Sequence, residues 1–170
     1  MSRLKLITFI ALITLAFGVA LVGDALAGEK VKGRKVDYTV KFQTVDIPDQ
    51  QGHILYVYEM KGITTIFEGP QAKKLWDGNS VMTWGIAESN PQTKQWSGRG
   101  YNERVDRDGD KVYTSWQGQS GKEGSEGTVT VIKGTGKYEG IKGEGTWSSH
   151  VVAPNQGYTD FEYDMEWPGR

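Results

Sequence analysis

The sequence contains no cysteine. That absence removes disulfides, thiolate zinc sites and thiol nucleophiles together. Histidine is almost as scarce, with only His53 and His150, far apart in the chain. A histidine-based metal site is therefore not expected, and no motif asks for a cofactor. Charge of one sign is missing too: 20 Lys and Arg face 21 Asp and Glu, for a net charge of −1. Nucleic-acid binding would need a concentrated basic stripe, and none is present. After residue 30 there is no long apolar run and no amphipathic helix of useful length. Stability has to come from a core and from sheet pairing.

The one long apolar segment is at the N-terminus. Arg3 and Lys5 precede an uncharged run over residues 6–23, and Ala25-Leu26-Ala27 forms a small-x-small site before Gly28. This is the pattern of a secretory signal peptide. A membrane anchor is the rival reading, since the run is close to spanning length; the A-x-A site favours cleavage. No cysteine follows the run, so a lipoprotein anchor is excluded. The expectation is a leader over residues 1–27, export to the periplasm or beyond, and one domain over residues 28–170 with no lasting membrane insertion.

What the remainder holds is β-structure. Residues 36–42 alternate Val36, Tyr38, Val40 and Phe42 with Asp37, Thr39 and Lys41, the period of a half-buried strand. The last strand is clearer: Phe161, Tyr163, Met165 and Trp167 share one parity, and Asp160, Glu162, Asp164 and Glu166 the other. Those acids read as a solvated outer face, not as a metal cluster. Only residues 70–80 can hold a helical turn. Eight or nine strands at short, even spacing predict an antiparallel sandwich or barrel. Closing an eight-stranded barrel removes the exposed edges and leaves an interior that side chains fill or that holds one small ligand.

Two stretches look like chemical motifs and read better as turns. Asp106-x-Asp108-x-Asp110 begins like a calcium loop, but Gly109 falls at position four and strands flank it. Asp108-Gly109 is a hairpin signal. In "KGTGKYEGIKGEGTW", residues 133–147, no helix follows the glycines and no G-K-[ST] is present, so neither nucleotide fingerprint is met. Gly134 and Gly136 relax the end of one strand, Tyr138-Glu139-Gly140 turns, and Tyr138 covers the hairpin. Gly143, Gly145 and Trp147 then share a parity, as glycines do where something bulky approaches across a sheet.

The run from Gly134 through Thr135, Gly136, Tyr138, Gly140 and Ile141 to Gly143 resembles the G-G-T-G-x-[FY]-x-G-[IVA]-x-G signature of the allene oxide cyclase and dirigent-like barrels. Lys133 stands where that pattern begins with glycine. Residues 106–116, "DRDGDKVYTSW", are similar to the turn and strand preceding the signature. The resemblance implies an all-β, eight-stranded antiparallel barrel, often called calycin-like. Some members cyclise or steer reactive small molecules inside the barrel. It transfers no catalytic residue, because those lie outside the matched positions.

Six Trp and eight Tyr supply flat apolar faces with polar handles, suited to a ligand-holding barrel or simply to its core. Glu59 and Glu103 lie within strands, and an inward carboxylate would titrate high and serve as acid, base or anchor. Arg99 and Arg104 have opposite parities, so one of them faces in, where it can pair with a glutamate. Glu59, Trp84, Tyr101, Glu103, Trp116 and Trp147 are the expected ligand-binding residues. The leading expectation is non-covalent binding of a small apolar or aromatic molecule inside the barrel. A cyclase or isomerase using Glu59 or Glu103 with Tyr101, and a structural or interaction module of the cell envelope, are the alternatives.

Overall fold

The alternation over residues 160–167 is a barrel wall: Phe161, Tyr163, Met165 and Trp167 are buried and the acids between them point to solvent. The computed structural model describes residues 28–169; the expected leader, residues 1–27, lies outside them. Eight strands run β1 (Glu29–Asp46), β2 (Ile54–Glu68), β3 (Ser80–Asn90), β4 (Gln95–Val105), β5 (Lys111–Ser120), β6 (Ser125–Gly134), β7 (Lys142–Ala153) and β8 (Gln156–Glu166). Each pairs antiparallel with the next, and β8 returns to β1 from Glu29↔Met165 to Tyr38↔Gln156, closing the barrel. The expected fold class is observed.

One end, the base, carries the β2–β3, β4–β5 and β6–β7 connections. A short helix α1 (Pro70–Trp76) fits the one helical turn expected, with proline in its first turn, where a missing N–H costs nothing. It buries Ala72 and Trp76 against the barrel. The glycine-rich stretch forms a 3-10 turn over Gly136–Tyr138. Gly136 and Gly140 have φ of 54° and 86°, left-handed values that favour glycine. Tyr138 is buried, and its hydroxyl donates to the Leu75 carbonyl at 2.9 Å, tying this turn to α1. The 106–110 segment is a hairpin turn, as expected: the Asp106 carboxylate accepts from the Asp108 and Asp110 amides at 2.9 and 3.0 Å. Helix, turn and the ends of β1, β2 and β8 stopper the base with Val31, Ile66, Trp76, Tyr138, Ile141, Met165 and Trp167.

In β1 the expected sidedness is reversed. Val36 and Tyr38 are exposed, while Asp37 is buried. A β-bulge between Thr39 and Lys41 then exchanges the two faces, as an inserted residue must. Phe42 therefore opposes inward-facing Tyr58 and packs on Tyr56 at 4.9 Å, whereas Val36 of the same sequence parity faces out. Polar demand inside the barrel outweighs the apolar pattern of this strand.

Candidate functional site: the barrel interior

Glycines make the interior. A Cβ on Gly85 would lie 2.4 Å from the Tyr58 ring, one on Gly100 2.7 Å from Trp116, and one on Gly118 2.3 Å from Trp147. Each large ring thus rests over a residue without a side chain, the large-and-small alternation that small barrels use. Five aromatics form a circuit towards the mouth. Tyr56 neighbours Tyr58 at 5.8 Å, Tyr58 neighbours Trp116 at 6.3 Å, and Trp116 meets Trp147 edge-on at 5.8 Å. Trp147 meets Trp96 at 6.4 Å, and the Trp96 indole donates to the Tyr56 hydroxyl, closing the circuit. Tilted and edge-on pairs of this kind add about 0.5–1.5 kcal/mol each beyond their burial.

Below the rings lies a polar band. Lys35 Nζ sits 2.9 Å from Asp37 Oδ2, with both side chains largely removed from water, and donates to Thr83 Oγ1 at 3.0 Å. Thr83 Oγ1 in turn donates to Asn102 Oδ1 at 2.7 Å, and Asn102 Nδ2 donates to Thr114 Oγ1 at 2.9 Å. The network crosses β1, β3, β4 and β5. The Lys35–Asp37 approach is ionic, since Asp37 Oδ2 has no aligned donor. Burial, with the nearby Tyr56 and Asp37, pushes the Tyr58 hydroxyl far above its ordinary value, so it stays a neutral donor at any physiological pH.

Deeper still is Arg104. Only 8% of it is exposed. Its Nη1 donates to Thr64 Oγ1 at 2.6 Å, and its guanidinium lies 4.3 Å from the Trp76 ring centre and 5.6 Å from that of Phe161. Burial lowers its pKa, opposed by Tyr163 and Tyr138. Among the described residues no carboxylate forms an ion pair with it. Lys35, Thr83, Asn102, Arg104, Trp116 and Trp147 are on the wall of a cavity of about 110 Å³.

The six expected ligand residues divide. Trp116 and Trp147 line the cavity. Glu59, Trp84 and Tyr101 stand side by side on the outer wall, in register Glu59↔Trp84↔Tyr101. Glu59 pairs with Lys41 at 3.0 Å, and Glu103, also outward, with Lys111 at 3.0 Å. Neither glutamate reaches the interior. Of the two arginines, Arg104 turns in and Arg99 out, and the inward one meets no glutamate. Sequence reasoning missed Lys35, Asp37, Thr83, Asn102 and Thr114. The available signal was the spacing Gly98-x-Gly100-x-Asn102-x-Arg104: glycines that make room for rings mark the inward parity, and Asn102 and Arg104 share it.

No family model matches the sequence, and no curated protein matches it. Among solved structures, a pterocarpan synthase dirigent protein is similar with a TM-score of 0.50 and 12% identity, over 83% of this chain and 90% of that one. A DUF3224-family protein of unknown function from Shewanella oneidensis gives a TM-score of 0.47 and 14% identity, over 82% of this chain and 98% of that one. The dirigent likeness shows the fold, an eight-stranded barrel of the dirigent type.

Proposed function

We propose that this protein binds a small molecule inside the barrel and does so outside the cytoplasm, after loss of residues 1–27. The observation that carries the reading is the cavity of about 110 Å³ with charged and hydrogen-bonding groups buried around it. A barrel kept only for stability gains nothing from burying Lys35, Asp37 and Arg104, because well-packed apolar side chains in their place are often equally stable. Ligand sites combine apolar and aromatic walls with a few placed polar groups, and this interior has that composition. The cavity is smaller than the roughly 150 Å³ that accepts one benzene, so the ligand is compact or the aromatic circuit opens to admit it.

Val129 lines the cavity and is buried. Val129→Phe is expected to abolish ligand-induced changes in tryptophan fluorescence while leaving the β-sheet circular dichroism intact. Unchanged ligand response in a folded Val129→Phe protein would place binding elsewhere.

A catalytic reading is favoured by one observation, the buried Lys35–Asp37 pair and its relay to Thr114. Such a pair can hold or move a proton on an enclosed substrate. It takes the acid–base role first expected of Glu59 and Glu103. The dirigent protein of similar fold is a synthase, but a shared fold does not carry a reaction with it. Asp37→Asn should then abolish turnover while ligand affinity persists; turnover equal to wild type would remove this reading.

A further inference from the structure

Two buried indole donors lack acceptors, while the one interior acceptor without an aligned donor, Asp37 Oδ2, is held by Lys35 at 2.9 Å. Trp116 is over nine-tenths buried, and its Nε1–H has no hydrogen-bond partner. Trp76, whose ring lies under the Arg104 guanidinium, likewise keeps an Nε1–H without an acceptor. Arg104 carries five N–H donors and makes hydrogen bonds to Thr64 and Tyr163, neither of them charged. The charge count points the same way. Lys35 and Asp37 cancel each other at 2.9 Å, which leaves the Arg104 cation as an excess positive charge with no counterion. Buried donors are nearly always satisfied, and buried cations nearly always paired. Of these donors, Arg104 and Trp116 stand on the cavity wall, and both want an acceptor, the guanidinium an anionic one.

We propose that the cavity binds a compact organic anion, a short-chain carboxylate, through the Arg104 guanidinium and the Trp116 indole N–H. This rests on the reading of the interior as a ligand site and specifies its chemistry. A carboxylate is the acceptor that a guanidinium fork matches best, and its second oxygen is free for an indole donor. Both Arg104 and Trp116 border the one cavity. Its volume of about 110 Å³ limits the acid to a few heavy atoms. Val112, Val129 and Phe161, also on its wall, give an alkyl group an apolar surface that a bare inorganic anion does not use.

The test is an NMR titration of the ¹⁵N-labelled protein, reading the tryptophan indole N–H signals. Trp116 is assigned by its disappearance in Trp116→Phe. Probes are sodium formate, acetate and propionate, with sodium chloride at matched ionic strength and neutral acetamide as controls. The Trp116 signal should shift saturably with acetate, with at least ten-fold weaker response to acetamide and to chloride. In Arg104→Gln the acetate affinity should fall at least ten-fold. Should that variant fail to fold, calorimetry of acetate binding to Trp116→Phe gives the second reading, and undiminished affinity there overturns the assignment. Equal response to acetamide would overturn the anion while leaving interior binding intact. Equal response to chloride would overturn the carboxylate. If no probe, charged or neutral, moves the Trp116 signal, the anion site falls, and the interior-binding reading is decided separately by Val129→Phe.

Discussion

At the scale of single residues, the interior depends on where side chains are absent as much as on where they are present. A Cβ on Gly100 would lie 1.9 Å from the Trp84 carbonyl oxygen and 2.7 Å from the Trp116 ring. Backbone cannot yield as a flexible side chain can. Gly100→Ala is therefore expected to cost about 3 kcal/mol, the upper range for overpacking, and to lower Tm by roughly 6–12 °C in a calorimetric scan. A change under one degree would contradict the close approach of the Trp84 carbonyl and the Trp116 ring to this glycine. Parity was readable in the sequence for most strands, because alternation is a local property. Which parity faced inward was legible in β8, where acids alternate with Phe161, Tyr163, Met165 and Trp167, but not in β1 or β2. In β2 only closure of the sheet decides that Tyr58 points in while Glu59 pairs with Lys41 outside, whereas Glu103, opposite in parity to Gly98 and Gly100, was marked as outward and pairs with Lys111.

At the scale of elements, the connections hold the strands in register through a few polar clamps. The loop between β1 and β2 is fixed by His53, which lies 2.6 Å from Asp49 through Nδ1 and 2.7 Å from Glu88 of β3 through Nε2. Hydrogen bonds to Asp49, and then to Glu88, raise the His53 pKa above its ordinary 6.5. A histidine with a raised folded-state pKa stabilises most below its unfolded value, and that stabilisation is lost as pH rises through the folded value. Amide hydrogen exchange in residues 47–53 should therefore quicken as pH is taken from 6 towards 9, beyond the intrinsic pH effect. His53→Gln should remove that extra dependence, and protection that follows the intrinsic rate alone in wild type would refute the clamp. The turns themselves were legible: Asp108-Gly109 and the glycines at 136 and 140 mark chain reversals by their chemistry. The bulge at residues 39–41 was not. It inserts one residue into an otherwise regular alternation, and its signature is indistinguishable in sequence from a continuing strand.

At the scale of the whole molecule, the barrel closes through its first and last strands, so it has no independent half. Deleting residues 156–170 would leave β1 and β7 as free edges and strip Phe161, Tyr163, Met165 and Trp167 from the core. Cooperative thermal unfolding should be lost, with self-association on size-exclusion chromatography; a monomeric, cooperatively melting fragment would contradict closure as the source of stability. Even spacing and turn chemistry pointed to eight or nine antiparallel strands in a sandwich or barrel, and the eight-stranded closure came from the resemblance carried by residues 134–143. The polar interior was not readable, because Lys35 and Asp37 stand in a strand whose apolar residues suggested the opposite face. Native mass spectrometry of the protein purified from its own host shows whether that interior holds a ligand. A compact molecule should be retained on the wild-type chain and be absent from Trp116→Phe prepared in the same way. The bare chain mass alone for both proteins would contradict a ligand-holding barrel.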